Sequence, residues 1–372
     1  MAGVAEAEPV KCVMVLYHYF PWGGLQRDFA RIAREAVARG HQVQALVSEW
    51  QGEPLQGVTI TTVPVRGQSN HARMARFAAG VQQYLAETPH DRVLGFNRLP
   101  GLDVYFAADS CFAEHVAGKP GVVRWLPRYA TYLKLEHQVV AESGPRLLFL
   151  NEHQRDQYRA HYALPESRYQ VLPPGVEADR RRPANHAALR EQIRTELGVG
   201  SGVPLLLFLG SGFKVKGLDR ALAAFATLPS QAHLMIVGND EAAPYLRDLQ
   251  VATRERIHVL GPRDDVPALM QGADLLLHPA YRESAGMVLL EATVAGLPVL
   301  TTDTCGYARY VQEAGSGEVI ATPFKQTALN AMLQTMVERV PGEWQANALR
   351  YAESPLLYQL AQNVVDAVEA GR

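Results

Sequence analysis

The chain has 372 residues, 48% of them hydrophobic and 20% charged, which leaves room for two ordinary domains or one large one and ample apolar material for a core. Its 36 basic and 38 acidic residues give a net charge of −2, too weak a positive field to hold a nucleic-acid backbone, so no nucleic-acid partner is expected. Cys12, Cys111 and Cys305 lie far apart with no C-x-x-C spacing, which predicts free thiols in a reducing compartment rather than a disulfide scaffold or a zinc knuckle. The opening residues, Met1 to Pro9, show no secretory-leader pattern and no run of 18 uncharged apolar residues occurs; a cytoplasmic chain that at most lies on a membrane is expected.

In chain order, short apolar runs alternate with amphipathic stretches, the pattern of βα units around parallel sheets. Residues 10–17 form the first apolar run. It ends in Phe20-Pro21-Trp22-Gly23-Gly24, after which Leu25, Phe29, Ile32, Ala36 and Val37 mark one helical face. Gly40 stops that helix, 42–47 and 58–63 read as strands, and a helix around 72–85 leads into a strand at 92–96. Strands at 104–107 and 146–150 flank a helical segment at 126–140. Two prolines and a glycine in Val171-Leu172-Pro173-Pro174-Gly175-Val176 then break the pattern, and the charged cluster Glu177 to Arg182 follows, as in an interdomain linker. A second βα series begins with a strand at 205–209, Gly210-Ser211-Gly212 and a helix from Leu218, and continues with strands at 234–237, 257–260, 275–278 and 298–301. Two comparable nucleotide-fold halves joined by a short hinge are predicted.

The segment 273–292 is the most informative. A buried strand ends at Pro279, a loop carries Glu283, and a helix opens near Ala285 with Glu291 inside it. Ligands of open α/β sheets sit at such strand ends, where helix N-terminal amides meet anions. Eight residues of helix span about 12 Å, too far for a glycosidase carboxylate pair at roughly 5–9.5 Å but suited to gripping two ends of one long ligand such as a nucleotide sugar. An ordinary helix with one capping and one solvated glutamate fits the same spacing.

Glu283-x7-Glu291 followed by Gly296-Leu297-Pro298-Val299 resembles the E-x7-E region of the retaining GT-B enzymes of glycosyltransferase family four, and Phe213-Lys214-Val215-Lys216-Gly217 resembles that family's diphosphate loop. The stretches 16–29, 99–109, 275–281 and 301–307 are similar to the lipopolysaccharide core glucosyltransferase I subgroup, and the similarity runs from residue 10 to 350. The resemblance implies a GT-B fold of two Rossmann-like domains facing each other across a cleft. Residues 1–174 with a returning tail, 352–372, would face acceptor and membrane, and residues 175–351 would bind the donor; Pro355 is a break in the tail. It implies transfer of glucose from UDP-glucose, with retention, to the first heptose of a lipid-linked lipopolysaccharide inner core in an α-1,3 linkage.

By motif position, Glu283 would contact the donor sugar, Glu291 the ribose, and the backbone at Ala285, Gly286 and Met287 the sugar or diphosphate. Lys216 would neutralise the leaving diphosphate, with Lys214 in a supporting role because Val215 stands where relatives carry a basic residue; Arg263 joins the donor set. Gly23 and Gly24 would let the first-domain backbone approach the phosphates. Asp103 is a candidate for orienting the acceptor hydroxyl, and Asp28, Asn70, His71 and Arg73 are candidate acceptor contacts. Loop and helix-start roles fit Asp103 and Asp28 as well.

No D-x-D or H-E-x-x-H occurs, so no metal and no cofactor are expected, and Asp264-Asp265 reads as a helix N-cap pair. Charge is unevenly placed: residues 1–172 hold 18 basic against 16 acidic side chains, and 173–372 hold 18 against 22. In the first half 54–86 and 115–135 contain no acidic residue. The second of these interleaves Lys119, Arg124, Arg128 and Lys134 with Val122, Val123, Trp125, Leu126, Tyr129, Tyr132 and Leu133, a composition suited to an anionic lipid surface at the cytosolic face of the inner membrane; the same residues could instead build an ordinary amphipathic helix packed on the core. A monomer is expected, each sheet being covered by its own helices. The alternatives are another UDP-sugar transferase of the same family, a UDP-sugar 2-epimerase of the same fold, and a non-catalytic partner protein.

Overall fold

Apolar runs of four or five residues become strands buried on both faces, as parallel sheets covered by helices require. The computed structural model describes residues 9–21, 23–228, 231–340 and 342–371; residues 1–8, where no secretory leader is expected, and Trp22 of the glycine turn lie outside them. The chain divides into two compact units, 1–175 with 358–372, and 176–357.

In the first unit, besides a two-residue pair of His18–Tyr19 with Glu49–Trp50, the strands are β1 (Lys11–Val15), β2 (Gln42–Val47), β3 (Val58–Thr62), β4 (Arg92–Gly95), β5 (Val104–Ala107), β6 (Arg146–Phe149) and β7 (Tyr169–Val171). They form one parallel sheet in the order β3-β2-β1-β4-β5-β6-β7. Central β1 places Val13 beside Gln44 on one side and Val93 on the other. The second unit repeats the scheme with β8 (Leu205–Leu209), β9 (His233–Val237), β10 (Ile257–Gly261), β11 (Leu275–His278), β12 (Val299–Thr302) and β13 (Gly317–Ile320), ordered β10-β9-β8-β11-β12-β13 and again parallel. Alternate side chains split its core: Leu206, Phe208, Leu275 and Leu277 pack on one face and Leu205, Leu207, Met235 and Leu276 on the other.

The tail leaves the second unit later than expected, at 357/358 rather than 351/352. Helix Gly342–Tyr351 and a 3-10 turn, Pro355–Tyr358, come first; the Val176 amide donates to the Leu357 carbonyl (2.8 Å), so the two crossings run side by side. Helix Leu360–Ala370 then packs on helix Gly24–Ala38. Arg39 pairs with Asp366 (2.6 Å) and Glu369 (3.2 Å), and the His41 ring contacts Glu369 at 2.8 Å.

Candidate functional site

In a sheet of this order the strand direction of winding reverses between β8 and β11, and loops leaving the C-terminal ends of those two strands diverge to leave a crevice for ligand. Both informative motifs leave from there. After β8, Gly212 and Gly217 adopt φ +77° at the two ends of a one-turn helix, Phe213–Lys216. At Gly217 a side chain is impossible, because a Cβ would lie 2.2 Å from the Pro279 carbonyl. The Asp240 carboxylate holds the turn by accepting from the amides of Gly212 (3.0 Å) and Phe213 (2.9 Å). The Tyr281 amide donates to the Val215 carbonyl (2.8 Å), which ties this loop to the one after β11.

The Lys216 ammonium forms an ion pair with the Glu283 carboxylate. His278, fully buried at the end of β11, lies below them with its Nε2 3.8 Å from Glu283 Oε2, and neither ring nitrogen has a hydrogen-bond partner. Burial, with the neighbouring Lys216 charge, pushes the His278 pKa down to about 3, so the ring is neutral at physiological pH. Burial also lowers the Lys216 pKa, while its carboxylate partner favours the charged form. The Glu283 main chain is fixed by the loop after β12: its amide donates to the Thr304 carbonyl and its carbonyl accepts from the Gly306 amide, both at 3.1 Å. Gly286, at φ +88°, opens helix Met287–Val294. Glu291 is buried inside that helix, and Ala285, Gly286 and Met287 sit at its start.

Lys216, Glu283, Ala285, Gly286 and Met287 are therefore gathered within one unit. Lys214 is not brought to them; it is exposed on the one-turn helix. Arg263 is not gathered with them either; its guanidinium pairs with Asp265 (2.6 Å) and Glu196 (2.8 Å). The same contact overturns the expected side-chain cap at Asp264-Asp265: Asp265 occupies the N-cap position of helix Val266–Gly272 but makes no capping hydrogen bond, since its carboxylate is spent on Arg263.

In the first unit, a Cβ at Gly23 would displace the Gln26 and Phe20 side chains, whereas one at Gly24 would face open space. Asn70, His71 and Arg73 lie together at the start of helix Asn70–Glu87: Arg73 donates to Asn70 Oδ1 (2.6 Å), and the capping Ser69 Oγ lies 3.3 Å from the His71 ring. Asp28 pairs with Arg31, which holds the Gly175 carbonyl at the end of the unit.

Asp103 is the main correction. It precedes β5, at the N-terminal end of the sheet, and its carboxylate accepts from the Val93 amide (2.8 Å). Parallel sheets bind ligand at the opposite end. Two residues past the C-terminal end of β5 stands Asp109, half exposed and 3.8 Å from Arg98. The Gly101-Leu102-Asp103 turn drew attention to the wrong end of the strand; the signal for Asp109 was its place immediately after the apolar run. His278 and Asp240 were likewise missed as site residues, the first because it reads as the last residue of a core strand.

Helix Pro127–Val140 follows a 3-10 turn, Gly121–Trp125. Trp125 is 85% exposed, and Val122 and Leu126 are exposed beside it, as are Arg124, Arg128 and Lys134. Tyr129, Tyr132 and Leu133 do not join this surface; they are half-buried, and Tyr132 packs against the core. Lys119 lies over the Tyr129 ring at 5.9 Å. Among the described residues no helix is long and apolar enough to cross a membrane, and no three His, Cys, Asp or Glu side chains are gathered to hold a metal ion.

The family model for glycosyltransferase family 4 matches residues 22–180, and that for glycosyl transferases group 1 matches 190–350. The chain is 43% identical over 365 residues to the lipopolysaccharide glucosyltransferase WaaG of Escherichia coli (strain K12), covering 96% of this chain and 98% of that one. The chain belongs to the WaaG family. A crystal structure of WaaG, described as a glycosyltransferase involved in lipopolysaccharide biosynthesis, superposes with a TM-score of 0.89 over 96% of this chain and 99% of that one, at 42% identity. Anabaena HepE in complex with UDP and glucose shares the fold, with a TM-score of 0.74 at 18% identity over 97% of this chain and 100% of that one. Like other members of the WaaG family, the chain is a glycosyltransferase of the GT-B fold.

Proposed function

We propose that this enzyme moves glucose from UDP-glucose, with retention and in an α-1,3 linkage, to the first heptose of a lipid-linked lipopolysaccharide inner core. The observation that carries the reading is the Lys216–Glu283 ion pair at the reversal point of the second sheet, in a chain related to WaaG along almost its whole length. A donor diphosphate competes with Glu283 for the Lys216 ammonium. Once Lys216 turns to the phosphates it stabilises the charge that builds on the departing UDP, and the released carboxylate is available to the glucose hydroxyls. Glu291 belongs to the ribose end and the amides of Ala285 to Met287 to the diphosphate.

A donor phosphate oxygen takes the acceptor proton in this reading, and no divalent metal is required. Asn70, His71 and Arg73 supply polar and positive contacts to an anionic core saccharide. Val122, Trp125 and Leu126, ringed by Lys119, Arg124, Arg128 and Lys134, hold a monomeric enzyme to the cytosolic face of the inner membrane. The test is UDP release from UDP-glucose by purified protein given heptose-terminated core acceptor, with and without EDTA. Turnover that is acceptor-dependent, unaffected by EDTA and reduced on the order of 10²-fold or more in Lys216→Ala supports the reading. Loss of activity in EDTA removes the metal-independent part, conversion of the UDP-sugar without acceptor points to an epimerase, and full activity in both Lys216→Ala and Glu283→Gln overturns the site.

A further inference from the structure

The second unit contains a cavity of about 220 Å³ lined by helix His186–Leu197, residues 270–274 and 295–297, and Gln345. It lies at the other end of β11 from the donor site. Asp274, on its wall, immediately precedes that strand, whereas His278 ends it.

Two guanidinium groups, Arg182 and Arg190, and the imidazole of His186 line this cavity, against the single carboxylate of Asp274. That carboxylate is already engaged: it pairs with Arg190 (2.6 Å) and with Arg194 behind it (2.5 Å), and accepts from the Leu205 amide (2.8 Å). Arg182 Nε and His186 Nδ1 are buried with no hydrogen-bond partner. The Arg182 Nε–H is a buried donor left unmade, which is costly, and it lies where the electrostatics already favour an anion. Burial lowers the Arg182 pKa and the Arg190 charge lowers it further; burial and Arg182 together do the same to His186. His186 is also the first residue of its helix, whose N-cap Asn185 makes no capping hydrogen bond, so the positive end of the helix dipole adds to the field.

We propose that this cavity is an anion site for the phosphate group of a small phosphate monoester such as a sugar phosphate, separate from the donor site. The Arg182 guanidinium is the fork offered to a phosphate, with the Arg190 charge beside it; Arg190 itself is held by Asp274 (2.6 Å) and by the Gly272 and Ala273 carbonyls (3.3 Å each). The volume is below the roughly 300–1,000 Å³ of pockets that enclose drug-sized ligands; a sugar phosphate suits it and a nucleotide diphosphate sugar does not.

The test is thermal unfolding of the full chain titrated with inorganic phosphate and then with fructose 6-phosphate, each against chloride at matched ionic strength, in a Lys216→Ala background that disables the donor-side cation. A saturable rise in Tm that persists in Lys216→Ala, and whose midpoint shifts on the order of tenfold or more to higher ligand in Arg182→Gln/His186→Gln, is the expected result. Should the double variant fail to fold, Arg182→Gln alone, at a half-buried position, is held to the same midpoint shift. No rise beyond chloride, a rise lost in Lys216→Ala, or an unchanged midpoint in the cavity variants overturns the proposal. Weaker binding of fructose 6-phosphate than of inorganic phosphate overturns its sugar-phosphate part.

Discussion

Asp103 and Asp109 are six positions apart and on opposite ends of one strand, Asp103 bonded to the neighbouring strand and Asp109 at the end where parallel sheets bind ligand. Asp103→Asn replaces a charged acceptor at the Val93 amide with a neutral one, and is expected to cost about 1–3 kcal/mol of stability with little change in kcat. Asp109→Asn is expected to do the reverse, leaving denaturant midpoints unchanged and lowering turnover on heptose-terminated acceptor by roughly tenfold or more, as loss of a group that orients the acceptor would. Equal kcat in the two variants would remove Asp109 from the site. His278 carries the pH dependence. Its folded pKa, about 3, lies below the ~6.5 of an unfolded histidine, so as pH falls through 6.5 the unfolded state takes up a proton that the native state refuses. Stability is thus lost on acidification, by about 2 kcal/mol between pH 7 and pH 5. Denaturation of wild type and His278→Leu at both pH values checks this; the variant should lose about that much less. Lys216 and Glu283 were legible from their motifs, but His278 was hidden, because burial next to a charge is not a property of sequence spacing.

At the scale of elements, helix Pro127–Val140 was legible almost to its ends, yet its orientation was not. Its buried face is set by Glu136, fully buried, which accepts from the amides of Phe112 (2.6 Å) and Ala113 (2.8 Å) and from the Tyr162 hydroxyl (2.8 Å), with Arg98 Nε at 3.1 Å. A buried charge needs such partners, and meeting them turns Tyr132 inward and leaves Val122, Trp125 and Leu126 outside. Co-sedimentation with anionic vesicles should therefore fall in Trp125→Ser/Leu126→Ser as well as in Arg124→Ser/Arg128→Ser, but not in Tyr132→Phe. At about 1 kcal/mol per basic residue near the surface, losing two charges should weaken binding roughly 30-fold at low salt, and salt should weaken wild-type binding likewise. Equal binding of all three variants would show that another surface does the holding. The short edge strands β7 and β13 were missed for a related reason. They are half-buried, three and four residues long, and carry neither the continuous apolar run of a central strand nor a full alternation.

For the whole molecule, the returning tail matters most. Helix Leu360–Ala370 buries Leu360, Val364, Val365 and Val368, each worth roughly 1.5–3 kcal/mol, which together rival the 5–15 kcal/mol that holds a domain folded. A chain ending at residue 357 is expected to lose the cooperative unfolding transition of the first unit by circular dichroism and to keep that of the second, whose strands and cores all lie within 176–357. Retention of both transitions would show that the tail only decorates the first unit. Arg39→Ala, which removes the pairs to Asp366 and Glu369, should have a much smaller effect, since partly exposed ion pairs contribute at most about 1 kcal/mol each.

The sequence alone determined the two parallel βα series, the break between them and the glycine turns, because periodicity and turn chemistry are local properties of the chain, and the family resemblance singled out the lysine loop and the glutamate loop of the second half. Only the tertiary structure decided that Asp103 props one strand against another, that Arg263 is held by two carboxylates, that a neutral histidine lies under the Lys216–Glu283 pair, and that two guanidinium groups and an imidazole line one cavity. Each of those depends on which distant groups are brought within a few ångströms and how much water is removed around them.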